Sequence, residues 1–318
     1  IARCWYNPSM LLRRYQEQTL AWILERAAAR PNARLLTVLP MGSGKSVIAA
    51  ALLKLAVIDE GEPMRGLFVA HRQELLDNVR RSLSGLGVAD GVVSTWSRDS
   101  ERLTPISLAS VDALRLAPTS EWPDVDVIIT DEAHRDAGIF RQHLNKSYVD
   151  ALRVGFTATP ERLDGRSMRA QYDEMLVGAQ PSELIAEGHI VAPRVYTVPA
   201  ERLPDLSGVS VSSGEFNHEQ LERRVSTVPL LGDIVDHWQR RANNRRTIAF
   251  AVSRQHADSI VDRFNAVGIA AEQVNGNLGR TAREQALQRL TDGATRVLVS
   301  VDLLGEGIDI PAVKCVIM

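Results

Sequence analysis

Cysteine is almost absent from this 318-residue chain. Cys4 and Cys315 are the only two and stand at opposite ends, which leaves no basis for a disulfide framework or a cysteine-based metal site. A reducing compartment fits that usage. From Ile1 onward there is no apolar run followed by a small-residue cleavage site of the secretory kind, so the expectation is a cytoplasmic protein, and a fragment of one. Long hydrophobic runs are lacking too. The longest, Val47 to Ile58, is broken by Lys54 and falls short of the roughly 20 residues a bilayer requires, so no membrane span is expected. Aromatic residues make up only 5%, which speaks against a stacking platform for bases. Neither charge dominates: Lys and Arg number 37 against 39 Asp and Glu, for a net charge of −2. Bulk charge therefore does not advertise a polyanionic partner, and any nucleic-acid contact must be local. Lysine itself is scarce, restricted to Lys45, Lys54, Lys146 and Lys314. Base composition accounts for the imbalance, yet a lysine kept among so many arginines is a candidate for needing a compact ammonium.

What is present is an ordinary globular composition, 45% apolar and 24% charged, long enough for two domains at about 100–200 residues each. Apolar runs of strand length (Leu35 to Leu39, Leu67 to Ala70, Ile106 to Ala109, Val125 to Thr130, Leu152 to Phe156) alternate with helix-period segments at Tyr15 to Ala29, Ser46 to Ile58 and Glu74 to Leu83. Continuous hydrophobic strands separated by helices imply a parallel sheet covered on both faces. The same grammar returns later. Strands are expected at Val195 to Val198, Thr247 to Val252, Ala270 to Val274, Arg296 to Val301 and Val313 to Met318, with helices at Asn217 to Gln239, Arg254 to Asn265 and Thr281 to Leu290. The fold class is therefore α/β, two doubly wound parallel-sheet domains in tandem, expected over residues 1–180 and 181–318. Pro160 to Pro193, with a short helix at Pro181 to Glu187, reads as the joint, and Leu203 to Gly214 as a loop.

Two segments carry chemistry. Leu39-Pro40-Met41-Gly42-Ser43-Gly44-Lys45-Ser46 lies between a strand and a strong helix, the setting of a phosphate-binding loop. Gly42 and Gly44 let the backbone of Ser43 and its neighbours curl, so that amides and the helix N-terminus face a phosphate. Lys45 then sits on the β/γ oxygens and Ser46 gives its hydroxyl to Mg²⁺. The strict pattern has Gly where Leu39 stands, and a non-functional glycine turn is the bland alternative. Directly after the apolar run ending at Thr130 comes Asp131-Glu132-Ala133-His134. Acids at the carboxyl end of a central parallel strand face the ligand crevice: Asp131 to hold Mg²⁺, Glu132 to orient and deprotonate water. An isolated acid pair is otherwise a helix N-cap, but its position downstream of a phosphate loop favours catalysis.

In order along the chain these segments resemble the superfamily 2 helicases and translocases of the DEAH-box type. Leu12-Arg13-Arg14-Tyr15-Gln16 resembles the family's adenine-reading element, which implies that Gln16 bonds the base and favours ATP. Leu67 to Leu75 and Ile106 to Val111 resemble strand-to-helix elements on the nucleic-acid backbone, implicating Arg72 and Ser110. Gly155-Phe156-Thr157-Ala158-Thr159-Pro160 resembles the Thr-Ala-Thr motif, which implies that Thr157 and Thr159, with His134, couple hydrolysis to domain movement. In the second half Thr247 to Ser253 resembles the strand whose following Ser253 contacts phosphate. Gly276 and Arg283 fit the next family element. Val299 to Pro311 resembles the element in which Gly307 lies near the phosphates and Asp309 accepts from the ribose. The resemblance thus implies two RecA-like domains with ATP and Mg²⁺ between them, and nucleic acid as partner.

Phe156 to Arg162 looks most like the RadD-type and type III restriction-subunit branch, which acts mainly on DNA, so DNA is favoured over RNA. Other local candidates for phosphate contact are Arg162, Arg166 and Arg169. Arg240, Arg241, Arg245 and Arg246 are better explained as charges at a helix end, and Trp96 and Trp122 as packing residues. The family's closing Gln-x-x-Gly-Arg-x-x-Arg helix is not reached by Met318. The second domain is accordingly expected to be truncated, lacking the last strand of its sheet and so leaving an exposed edge, and to bind ATP while turning it over weakly, since such an arginine is worth about 10³ to 10⁵ in rate. Three other readings stay open: a nucleotide-switched DNA-binding subunit of a nuclease, restriction or repair assembly that separates no strands, an RNA helicase, and a P-loop metabolic kinase. The last leaves Thr157 to Thr159 and the second half unexplained.

Overall fold

The computed structural model describes residues 12–58, 64–98, 104–135, 138–161, 167–168, 171–197, 203–212, 215–225, 228–301, 303–304 and 310–318. By its internal contacts the chain divides into Ile1–Arg194 and Val195–Met318. The first unit contains, in order, α1 (Arg14–Ala29), β1 (Arg34–Val38), α2 (Lys45–Ile58), β2 (Gly66–Ala70), α3 (Gln73–Gly85), β3 (Val93–Thr95), β4 (Ile106–Ser110), α4 (Val111–Leu116), β5 (Val127–Thr130), α5 (Gly138–Ser147), β6 (Leu152–Thr157), β7 (Glu174–Val177) and α6 (Pro181–Ala186). Its seven strands form one sheet in the order β3-β4-β2-β5-β6-β1-β7, every neighbouring pair parallel.

The local causes are plain in the sequence. α2 is apolar nearly all round, with Ile48 to Leu53 at 0–1% exposure, and a helix of that kind must be covered on every side. It packs against α1 and α3 as well as the sheet. α3 instead shows the spacing of a surface helix, burying Leu75, Leu76, Val79 and Leu83. On the other face of the sheet Trp96 and Trp122 are core residues, packed with Phe140, Leu144 and Tyr148, as their reading as packing residues expected.

The second unit holds a short antiparallel pair, β8 (Val211–Ser212) and β9 (Glu215–Phe216), then α7 (His218–Val225), α8 (Val228–Arg241), β10 (Thr247–Phe250), α9 (Arg254–Ala266), β11 (Ala271–Val274), α10 (Arg280–Asp292), β12 (Val297–Ser300) and β13 (Cys315–Ile317). Four strands make a parallel sheet in the order β11-β12-β10-β13. Trp238 anchors its core: the ring meets Phe264 edge-on at 5.6 Å and the indole N–H donates to Thr247 Oγ1 at 2.6 Å.

The structure departs from the sequence reading at several points. The break between units falls after Arg194 rather than at 180, because Leu184 of α6 is fully buried in the first core, a burial that contributes about 2 kcal/mol. Residues 195–197 of the expected strand Val195 to Val198 are irregular, with Val195 80% exposed, and Val198 lies outside the described residues. Over the segment expected as a helix from Asn217 to Gln239, the described residues are helical at α7 and α8, and residues 226–227 between them lie outside the described residues. The loop expected over Leu203 to Gly214 carries β8. β7, inside the expected joint, was missed because its Glu174, Met175 and Val177 are exposed and lack the apolar signature of a buried strand.

Candidate nucleotide site and its hydrogen-bond network

Strand register brings the key segments to one edge of the first sheet. Val38, the last residue of β1, pairs with Thr157 at the end of β6, and Thr130 at the end of β5 pairs with Gly155. Beyond those pairs the Leu39 N–H continues the ladder to the Thr157 carbonyl at 2.9 Å. The glycine loop after β1, the acids after β5 and Thr157 with Thr159 after β6 therefore leave the carboxyl ends of three adjacent strands, where ligands bind in open α/β sheets.

The loop has the backbone its residues predict. Gly42 and Gly44 take φ of +78° and +76°, a region that costs an L-residue about 1–2 kcal/mol. Ser43, between them, is fully buried, and its Oγ has no hydrogen-bond partner among the described residues. Its carbonyl accepts twice, from Tyr15 Oη at 2.6 Å and from Gln16 Nε2 at 3.0 Å. Lys45 and Ser46 open α2, and Lys45 Nζ donates to the Leu39 carbonyl at 3.4 Å. Gln16, expected from the resemblance to read the base, is 4% exposed, and its Oε1 accepts from the Arg13 backbone at 3.0 Å. Both ends of that amide thus hold protein backbone.

On β5's side Asp131 is 4% exposed and accepts from the Glu132 N–H at 3.0 Å. Glu132 has φ +50°, a left-handed conformation rare for a non-glycine residue and a mark of functional sites. Glu132 Oε2 lies 3.3 Å from His134 Nδ1, and the same nitrogen lies 3.0 Å from Thr157 Oγ1. The Thr157 hydroxyl donates to the Thr159 carbonyl at 2.9 Å and accepts from the Thr159 N–H at 3.1 Å. With acceptors on both sides of it, His134 Nδ1 carries the proton. Glu132, His134, Thr157 and Thr159 form one continuous chain. Gly155 supports it from below: a Cβ there would lie 2.7 Å from Tyr172 Cζ and 3.0 Å from Ala133 Cβ. Tyr172, packed with Leu36, Val38, Ala133 and Met168, is a residue sequence reasoning missed, because a lone tyrosine in a turn-rich stretch carries no signal.

The loop has the features a phosphate group calls for: two φ-positive glycines, a buried Ser43 hydroxyl without a partner among the described residues, and a helix N-terminus beside it. No cluster of three metal-ligating side chains occurs among the described residues. A Mg²⁺ here would be held by Ser46, Asp131 and nucleotide oxygens, the usual mode for that ion.

The nucleic-acid candidates turn out to be helix caps. Arg72 is the N-cap of α3. Ser110 Oγ accepts from the Ala113 N–H at 3.0 Å at the start of α4, and Ser253 Oγ accepts from the His256 N–H at 3.0 Å at the start of α9. Glu222 of α7, a residue without sequence signal, accepts from the Ser253 hydroxyl. Burial lowers the His256 pKa, opposed by the nearby Glu222 carboxylate. Gly307 and Asp309, like Arg162, Arg166 and Arg169, lie outside the described residues. The helix-end reading fits Arg240, which bonds the Asp236 carbonyl, and Arg241, which lies over the Tyr196 ring at 4.9 Å.

A parallel sheet with a phosphate loop and an acid pair at its carboxyl edge, followed by a second parallel-sheet unit, defines a nucleotide-binding protein of the tandem RecA-like class. Comparison with known families agrees. Residues 9–162 match the family of the type III restriction enzyme res subunit, and residues 227–318 match the helicase conserved C-terminal domain. Matched over both halves, the chain carries the domain pair of the superfamily 2 helicases and translocases, its first half similar to the type III restriction subunits. A 51.5 kDa protein of a Lactococcus phage is 30% identical over 86% of this chain and 56% of its own length. The putative mitochondrial ATP-dependent helicase irc3 of Schizosaccharomyces pombe is 26% identical over 96% of this chain and 52% of its own length. The chain thus spans about half the length of these curated relatives. Among solved structures, the ATP-dependent type ISP restriction-modification enzyme LlaBIII bound to DNA superposes with a TM-score of 0.65, at 17% identity, over 96% of this chain and 25% of that one. No helix among the described residues is long and apolar enough to cross a membrane.

Proposed function

We propose that this protein is the motor core of an ATP-driven nucleic-acid translocase or helicase, with DNA as the favoured track. The observation that carries the reading is the chain Glu132–His134–Thr157–Thr159 at the same sheet edge as the glycine loop. In this reading the loop amides, with Lys45, bind the β- and γ-phosphates of ATP, and Ser46 and Asp131 hold Mg²⁺. The metal supplies charge neutralisation at the transferring phosphoryl group. Glu132 accepts a proton from the attacking water, its backbone held in the left-handed region so that the carboxylate meets His134. A proton gained or a charge moved at Glu132 is felt by His134 Nδ1, and through it by the Thr157 turn. That route ties the state of the nucleotide to the segment after β6. Arg72, Ser110 and Ser253, at helix N-termini, are the proposed contacts to backbone phosphate, where amides and hydroxyls bind without reading sequence.

DNA is favoured because the first half belongs with restriction subunits and the superposed enzyme was solved on DNA. The test measures ATP turnover and strand separation by the full-length protein with single-stranded DNA, duplex, fork and RNA. Stimulation by DNA above RNA supports the reading, whereas equal turnover with and without any nucleic acid overturns it. Glu132→Gln is expected to retain ATP and lose turnover; hydrolysis at the parent rate removes Glu132 from the role of base.

A further inference from the structure

The Ser43 carbonyl lies between two φ-positive glycines and receives two buried hydrogen bonds from the first turn of α1, from Tyr15 Oη at 2.6 Å and Gln16 Nε2 at 3.0 Å. A trans peptide is planar, and its carbonyl and N–H point in opposite directions. Holding the Ser43 carbonyl inward toward α1 therefore turns the Gly44 N–H outward, into the concavity of the loop. The anchor is itself well held. Tyr15 is 7% exposed, its ring lies 5.6 Å from that of His189, its hydroxyl accepts from Arg13 at 3.2 Å, and its carbonyl accepts from Thr19 Oγ1 at 2.8 Å. Ile190, next to His189, closes the other side, since a Cβ on Gly42 would lie 3.2 Å from its methyl group.

We infer that Tyr15 is a positioning residue of the nucleotide site, acting through the Ser43 carbonyl to aim the Gly44 amide at phosphate, without touching the nucleotide. The inference rests on the reading of residues 39–46 as a phosphate loop. Its signature follows from the geometry: the effect falls on the phosphates and is blind to the base.

Tyr15→Phe keeps the ring and removes one donor. Titration with fluorescently labelled ATP and GTP is expected to give a Kd raised about three- to tenfold, the usual worth of one hydrogen bond, and by the same factor for both nucleotides. Deuterium uptake at Gly44 is expected to rise, with the melting temperature close to the parent's. Lys45→Ala runs alongside. If it leaves affinity unchanged, the phosphate-loop reading itself fails; if it abolishes binding while Tyr15→Phe binds both nucleotides like the parent, the role of Tyr15 fails. A loss confined to ATP places the side chain on the base and equally overturns the inference.

Discussion

Thr157→Val removes one hydroxyl and keeps the outline of the side chain, and that hydroxyl makes three of the contacts on which the proposed coupling depends. It accepts from His134 Nδ1 and the Thr159 N–H and donates to the Thr159 carbonyl. Thr159 is exposed, so its backbone groups turn to water at small cost. His134 Nδ1 keeps Glu132 as partner. No buried group is left wholly unpaired, which puts the loss at about 1–2 kcal/mol rather than more. In a unit of this size that is a fall of about 2–8 °C in melting temperature. The sharper measurement is a double-mutant cycle with His134→Ala by urea unfolding, where direct contact gives a coupling of at least about 0.5 kcal/mol. In turnover assays the variant is expected to hold ATP as the parent does and to lose stimulation by nucleic acid. A cycle additive within about 0.3 kcal/mol, or undiminished stimulation, would refute the reasoning.

Gly155→Ala places a methyl group against the Tyr172 ring and Ala133; overpacking of this kind costs about 1–3 kcal/mol, and the strain is expected to reach the acid loop as weakened ATP turnover. Co-mutation of Tyr172→Leu is expected to restore stability in thermal unfolding, and failure to do so would place the clash elsewhere. His256 predicts a pH dependence of the second unit. Burial holds its folded pKa below the ordinary imidazole value of about 6.5, so as pH falls the unfolded chain takes up the proton first. Stability is therefore full above that value and declines below it, by up to about 1.4 kcal/mol per pH unit. Denaturant titrations between pH 5 and 8 check this, and the slope is expected to flatten in His256→Gln.

Much of this protein is written locally. The glycine spacing at 42 and 44, the apolar run before Asp131 and the Thr157–Thr159 motif name the site, because each is a short segment whose backbone demands are met by its own residues. The apolar strands β1, β2, β4, β5 and β6 were legible for the same reason: strands buried on both faces must be continuously hydrophobic. β7 was not, since an exposed edge strand is held by its pairing with β1 and needs no such signature. Nor was the boundary between units, which depends on Leu184 finding the first core rather than on any linker composition.

The sequence, with its two remote cysteines and near-neutral charge, determined mostly what this protein is not, and its ordered motifs determined the family. Tertiary structure alone decided which of those residues touch. Register placed Thr130 beside Gly155 and Val38 beside Thr157, and so joined Glu132 to Thr157 through His134. Packing of α1 on the loop set Tyr15 and Gln16 on one carbonyl. A hydrogen bond across 28 positions of chain has no local signature, because its geometry belongs to the sheet that brings the two segments together.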